Sequence, residues 1–198
     1  MEKMKKSFVV VPNDTEAIEC DQYRENLDLQ MIVLPEGLLR IEEFAFYNCR
    51  NLKEIVVPAS VEYIENNAFD GCESLDRVCF LSPDTELWWG AFWSCSSLKK
   101  VELPKKITTI DDSLFADCVN LKEVILPEMV DRIGSCAFEN CKSLEKIVLR
   151  GNISMIDWHA FFGCKNLTIY CRDVKQPKGW ADEWATGVKK IVWGYNGD

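Results

Sequence analysis

The feature that most constrains this chain is a pattern that returns every 23 residues. Three kinds of side chain recur with this spacing, each of them six times. They are Phe46, Phe69, Phe92, Phe115, Phe138 and Phe161, then Cys49, Cys72, Cys95, Cys118, Cys141 and Cys164, and finally Leu52, Leu75, Leu98, Leu121, Leu144 and Leu167. A fixed period of this length indicates a repeat architecture, in which each unit buries its apolar face only against its neighbours.

Each repeat contains a short apolar alternation that predicts a β-strand. The alternating pairs are Ile55 and Val57, Val78 and Phe80, Val101 and Leu103, Val124 and Leu126, and Ile147 and Leu149. Pro58, Pro104 and Pro127 follow three of these pairs, where proline ends a strand because it has no amide hydrogen. The apolar spacing that continues through Val61 and Ile64 predicts a turn followed by one or two turns of helix.

Stacked repeats of this kind predict an α/β solenoid. Its strands would pair about 4.8 Å apart into a parallel β-sheet on one face, with short helices or turns on the other. We predict that residues 1–198 form one solenoid domain, in which residues 30–170 carry the 23-residue repeats. Residues 7–29 are interpreted as a degenerate N-terminal capping coil, with Tyr23 at the Phe position, and residues 171–198 as a C-terminal cap.

The repeat unit resembles the BspA-type branch of the leucine-rich-repeat family. The family pattern is matched at every position by Leu121, Val124, Leu126, Pro127, Val130, Ile133, Ala137, Phe138 and Cys141. This resemblance implies a right-handed solenoid without catalytic residues, which acts in adhesion or host interaction at a microbial surface. One coil departs from the pattern, because Leu81 stands at the proline position and Asp84 at the position of Val61.

Charge and hydropathy narrow the classes of partner. A net charge of −9 and a pI near 4.8 oppose binding to nucleic acid or to anionic lipid headgroups, which normally needs clustered Lys and Arg. The longest apolar runs fall far short of the roughly 20 residues that span a bilayer, so membrane insertion is not expected. A protein or a glycan is the expected partner.

The start of the chain bears on localisation. Lys3, Lys5 and Lys6 would suit the charged start of a signal peptide, but the apolar stretch 8–11 is shorter than the roughly 7 to 15 residues that such a peptide uses. The sequence therefore favours a cytoplasmic location, whereas the family resemblance favours the cell surface.

Cysteine and histidine are the residues most able to carry chemistry. The chain has no Cys-x-x-Cys motif and a single histidine, so no metal or cofactor site is predicted, and the repeated cysteines are interpreted as buried, reduced thiols. His159 could pair with Cys136 or Cys164 as a base and a nucleophile. No orienting third group accompanies them, and the chain is predicted not to be an enzyme.

Two surfaces are candidates for recognition. The first is an outward row on the predicted sheet, whose members are Val33, Val56, Cys79, Glu102, Ile125 and Val148. A continuous exposed apolar row indicates an interaction site, although β-branched residues also favour strands for their own sake. The second is the departing coil, where Trp88, Trp89 and Trp93 flank the core Phe92 and serve either packing or binding.

These features favour a non-enzymatic module that binds a macromolecule. The alternative is an intracellular structural or scaffolding repeat protein. The two hypotheses differ in where the protein resides in its native cell.

Overall fold

The computed structural model describes residues 7–150 and 153–197. The three N-terminal lysines weighed as a signal-peptide start lie outside the described residues. Within these ranges the chain forms sixteen short strands, all paired in parallel where they pair. In chain order they are β1 (Phe8–Val10), β2 (Ala17–Ile18), β3 (Met31–Val33), β4 (Arg40–Ile41), β5 (Glu54–Val57), β6 (Tyr63–Ile64), β7 (Arg77–Phe80), β8 (Glu86–Leu87), β9 (Lys100–Glu102), β10 (Thr109–Ile110), β11 (Glu123–Ile125), β12 (Arg132–Ile133), β13 (Lys146–Leu149), β14 (Met155–Ile156), β15 (Thr168–Cys171) and β16 (Lys190–Val192).

Every coil contributes strands to two faces of the solenoid. The strands of three or four residues, namely the odd-numbered ones and β16, stack on the long-strand face. The two-residue strands, which are the even-numbered ones from β2 to β14, stack on the short-strand face. In β5, Ile55 and Val57 point into the core while Val56 between them is 47% exposed, because successive side chains of a strand alternate between its two sides.

The third face consists of turns, and the helices predicted there are wrong: the described residues contain no helix. In the second coil the amides of Phe44, Phe46 and Asn48 donate to carbonyl oxygens of the next coil at 3.1, 2.7 and 2.7 Å. Phe44 and Asn48 also have a positive φ of 55°. In an α-helix each amide bonds to the carbonyl four residues back and every φ is negative. Two left-handed residues only four positions apart, Phe44 and Asn48, therefore exclude a helix here.

This turn geometry repeats along the solenoid. The left-handed positions form two columns with the spacing of the repeat, Asp21, Phe44, Asn67, Gly90, Ser113, Cys136 and His159, and then Glu25, Asn48, Gly71, Ser94, Asp117, Asn140 and Gly163. The amides at these positions, apart from His159 and Gly163, and the amides of the Phe column between them donate to the following coil. The result is three files of hydrogen bonds that run through the turn face parallel to the solenoid axis.

The core is a column of parallel aromatic rings flanked by the Cys and Leu columns. Tyr23 and the six phenylalanines stack with centroids 4.9 to 5.8 Å apart and with planes within 14° of one another. All six phenylalanine side chains are fully buried. Trp184 closes the column edge-on against Phe161, with centroids 5.9 Å apart and planes at 79°.

The period shortens near the C-terminus. β15 pairs with β13 so that Tyr170 lies beside Val148, and the step between these partners is one residue shorter than the repeat. Trp180 forms a bridge with Ile156 and packs against Trp184, with ring centroids 4.9 Å apart. Trp180 and Trp184 are almost fully buried and cover the last phenylalanine of the column.

The coil that departs from the repeat pattern interrupts both strand faces. Among the described strands, β7 does not pair with β9, and β8 does not pair with β10. The long-strand face has one further interruption, between β3 and β5. In the departing coil Asp84 is exposed, whereas Thr85 is buried and its hydroxyl donates to the carbonyl of Val61 at 2.9 Å.

Candidate functional site

The outward row predicted from the alternation lies on the long-strand face. Val33, Val56 and Ile125 are 46 to 47% exposed. Cys79 and Glu102 are also exposed, and Val148 is half-buried. Where neighbouring strands pair, as β5 with β7 and β9 with β11, the ladder fixes the spacing of these side chains at about 4.8 Å per coil.

The row is longer than the sequence analysis indicates. Strand register adds Val10 beside Val33, Tyr170 beside Val148, and Val192 beside Tyr170. The repeat period leads directly from Val33 back to Val10, so this residue is open to prediction. Tyr170 follows Val148, and Val192 follows Tyr170, each by one residue less than the 23-residue period. A fixed spacing of 23 residues therefore does not predict them.

Charged side chains flank the row on the same face. Arg77 lies 3.4 Å from Glu54 on the neighbouring strand, and Lys100 lies 3.5 Å from Glu123. The ammonium group of Lys146 lies over the ring of Tyr170, 5.2 Å from its centroid. Opposite charges on adjacent strands stabilise the sheet modestly and give the apolar row a polar border.

Two shallow grooves meet at Ile125. One, of about 420 Å³, extends over Val148 towards Lys146 and Arg150. The other, of about 480 Å³, extends over Pro127 and Met129 on the opposite side. Ile125 therefore borders both grooves, and a partner side chain there has surfaces on two sides to pack against.

The three tryptophans of the departing coil do not form one cluster. Trp88 lies on the short-strand side next to Tyr63, with ring centroids 5.9 Å apart. Trp89 and Trp93 lie on the turn face, edge to face at 6.0 Å. The Trp93 indole nitrogen donates to Asp117 at 3.0 Å, and none of the three rings is fully buried.

The repeated cysteines are core residues. All six are fully buried, and each thiol donates to the carbonyl oxygen 26 residues earlier, as Cys72 does to Phe46 at 3.2 Å. Burial raises the pKa of Cys49 to about 11 and raises the pKa values of Cys72, Cys95 and Cys141 well above their ordinary value. A thiol with a raised pKa holds little of the reactive thiolate, so these four cysteines are poor nucleophiles in the folded protein.

Histidine 159 has a structural partner. Its Nε2 atom lies 3.2 Å from a carboxylate oxygen of Glu183, and its ring stacks on Trp158 at 3.8 Å. Across residues 7–150 and 153–197, no hydrogen bond joins His159 to Cys136 or Cys164. His159 also belongs to a left-handed column, with φ at 58°, so its position is set by the turn.

Neither a metal-binding cluster nor a membrane-spanning helix occurs in the described ranges. No three His, Cys, Asp or Glu side chains there converge to hold a metal ion. No helix in the same ranges has the length and apolar character to cross a membrane.

The fold resembles several solved bacterial structures. A leucine-rich repeat protein from Eubacterium ventriosum is 25% identical with a TM-score of 0.73, and the match covers 90% of this chain and 46% of that one. One from Bacteroides ovatus is 24% identical with a TM-score of 0.76, covering 94% and 55%. A leucine rich cell surface protein from Faecalibacterium prausnitzii is 23% identical with a TM-score of 0.55, covering 96% and 60%.

The chain spans about half the length of the first two of these structures. No curated protein matches the sequence. The model of the BspA type leucine rich repeat region matches residues 2–119 and 85–172 in six copies, which together cover most of the chain. The protein therefore belongs to the BspA-type leucine-rich-repeat family.

Proposed function

We propose that the chain is a non-enzymatic binding module that recognises a protein partner with the outward row of its long-strand face. The exposure of Val33, Val56 and Ile125, each close to half, carries this proposal. Exposed apolar rows of this length are uncommon on monomeric proteins and mark interaction sites.

The composition of the face suits a protein better than a glycan. An aliphatic centre bordered by charged pairs, such as Glu54 with Arg77, has the apolar core and polar rim of protein interfaces. The row lacks the dense polar groups that hydroxyl-rich ligands require. Because each strand of this face pairs with at least one neighbour, little backbone entropy is lost on binding.

We further propose that the module acts in adhesion at a microbial surface. The similar fold of a protein described as a cell surface protein supports this location, together with membership of the BspA-type family. Fractionation of native cells tests it: recovery in the surface fraction supports adhesion, whereas exclusive recovery in the cytosol contradicts it and supports intracellular scaffolding.

The binding surface is tested by adding charge to it. The double variant Ile125→Lys/Val148→Lys places two ammonium groups in the groove region without disturbing the core. The matched control Met155→Lys/Val174→Lys adds the same charge at two exposed apolar positions outside the row. Partners recovered by the wild-type protein are compared by pull-down and then by titration.

We expect the row variant to lose the partner by about tenfold or more in affinity and the control to retain it, with similar melting temperatures for both. Equal retention by the two variants contradicts the proposed site. Failure of the wild-type protein to recover any partner contradicts the proposed function itself.

A further inference from the structure

The departing coil lacks a core side chain that the other coils possess. At the equivalent position they bury Leu38, Val61, Ile107, Val130 and Ile153. Here Asp84 stands in that position and lies exposed, paired with Lys106 at 2.8 Å. Thr85 turns inward instead, and its short side chain fills less of the space. This coil therefore contributes less apolar packing at this position than the other coils do.

The backbone pairing is interrupted between this coil and the next, at the junction of β8 and β10. At the other short-strand junctions a hydrogen bond joins the residue after one strand to the preceding strand, namely Glu42 to Ile18, Glu65 to Ile41, Trp88 to Ile64, Gly134 to Ile110 and Asp157 to Ile133, at 2.8 to 2.9 Å. Among the described residues, the equivalent bond from the Asp111 amide to the Leu87 carbonyl is not formed. The two strands therefore lack the backbone bond that joins their equivalents elsewhere.

The gap is a local wedge between β8 and β10 and not a full separation of the coils, because the amide of Lys106 before β10 still donates to the carbonyl of Pro83 at 2.9 Å. On the turn face the amide of Gly90 still donates to Asp112 at 3.0 Å, and the rings of Phe92 and Phe115 are 5.8 Å apart. This spacing leaves no room for an inserted strand, which would place β8 and β10 about 9.6 Å apart, twice the usual distance between strands. An extended peptide is therefore excluded as an occupant between the two strands.

The wedge forms a cleft of about 430 Å³, within the range of about 300 to 1,000 Å³ that small-molecule sites occupy. Trp88, 36% exposed, forms part of its lining. Glu86 and Asp111 supply carboxylates, and the two cations of the lining, Lys106 and Arg132, are already paired with Asp84 and Asp157. An anionic ligand would thus meet excess negative charge.

We propose that this cleft binds a neutral carbohydrate, with Trp88 as the ring on which a sugar stacks. A sugar presents one apolar face and several hydroxyl groups that both donate and accept hydrogen bonds. The residues that line the cleft include the aromatic Trp88, the carboxylates Glu86 and Asp111, and the hydroxyl-bearing Thr108 and Thr109. These groups are the donors and acceptors that such hydroxyls satisfy.

The site is tested with an array of neutral oligosaccharides of gluco, manno, galacto and xylo configuration, followed by calorimetric titration of the retained sugars. We expect Trp88→Ala to lower the affinity for a retained sugar by about tenfold or more. The control Trp158→Ala removes an exposed ring on the turn face and should leave the affinity unchanged, since Trp158 is 55% exposed and outside the cleft.

A second variant closes the cleft. Asp84→Val restores the aliphatic side chain present in the other coils, so it should draw β8 and β10 together, raise the melting temperature and abolish sugar binding. The proposal is overturned if the wild-type protein binds no neutral sugar. It is also overturned if Trp88→Ala and Asp84→Val both bind the sugar with undiminished affinity. Neither residue belongs to the outward row, so capture of the protein partner is unaffected in either case.

Discussion

Substitution of Gly71 by alanine tests the construction of the turn face. Gly71 has a φ of +71°, in the left-handed region that costs alanine about 1 kcal/mol. A Cβ atom there would overlap the Oδ1 atom of Asn48 and lie 3.1 Å from its Cγ atom. Moving the Asn48 side chain off its rotamer adds about 0.5 to 1.5 kcal/mol. We therefore expect Gly71→Ala to lower the free energy of unfolding by about 1.5 to 2.5 kcal/mol, the sum of these two costs.

Two further variants separate the contributions. Gly187 has a φ of +86°, but the nearest atom to an added Cβ is 3.8 Å away, so Gly187→Ala should cost only about 1 kcal/mol of backbone strain. In an Asn48→Gly background, which removes the overlapping side chain, the stability cost of Gly71→Ala should fall to the same value of about 1 kcal/mol. The measurement is urea denaturation of the single and double variants beside the wild-type protein. Equal losses for Gly71→Ala in both backgrounds would refute the proposed overlap.

Three other predictions address the core, the thiols and a buried carboxyl. Phe115→Ala should destabilise by about 3 to 5 kcal/mol, against less than about 0.5 kcal/mol for the exposed control Lys122→Ala, and equal denaturation midpoints would reject the assigned core. A thiol reagent should modify the exposed Cys20 and Cys79 in the native protein and the six repeated cysteines only after unfolding, and their native modification contradicts this. Burial, with a smaller contribution from the nearby Asp117 carboxylate, raises the pKa of Asp70 from 3.8 to about 6. The folded state therefore holds this proton more tightly than the unfolded state does. The free energy of unfolding should fall as the pH rises from about 4 to about 6. Asp70→Asn should flatten this part of the stability profile, and an unchanged profile would show that Asp70 does not cause it.

The strands and the core follow from the sequence because their signals repeat in phase. The repeat spacing places the Phe, Cys and Leu columns inside, and the period-2 alternation around Val56 separates inward from outward residues correctly. Both signals are hydrophobic patterns, and burial is what such patterns report.

The turn face does not follow from apolar spacing, because this spacing alone does not distinguish a helix from a turn with left-handed residues. The discriminating signal is the second left-handed column, in which Asn48, Gly71, Asp117, Asn140 and Gly163 are residue types that tolerate positive φ. Gly71, Gly90 and Gly163 each follow an asparagine one repeat earlier, whose side-chain oxygen occupies the space of the absent Cβ.

The candidate surfaces are only partly open to prediction. The position of Trp88 on a different face from Trp89 and Trp93 depends on the turn geometry, where the apolar spacing predicts a helix instead. The inward turn of Thr85 in place of Asp84 is a local choice between adjacent residues, and the period does not specify it.

The three files of hydrogen bonds also give the turn face an electrical polarity. In every bond of these files the N–H group belongs to the earlier coil and the carbonyl to the later one. Aligned peptide dipoles add, as they do in a helix, so partial positive charge accumulates at the C-terminal end of this face and partial negative charge at the N-terminal end.

Side chains at the two ends complement this polarity. The carboxylate of Glu183 accepts a hydrogen bond from the Trp158 indole at 3.0 Å at the positive end, and the guanidinium of Arg24 lies over Tyr47 at the negative end. The dipoles of the stacked turns therefore favour an anionic side chain at the C-terminal end of this face and a cationic one at its N-terminal end.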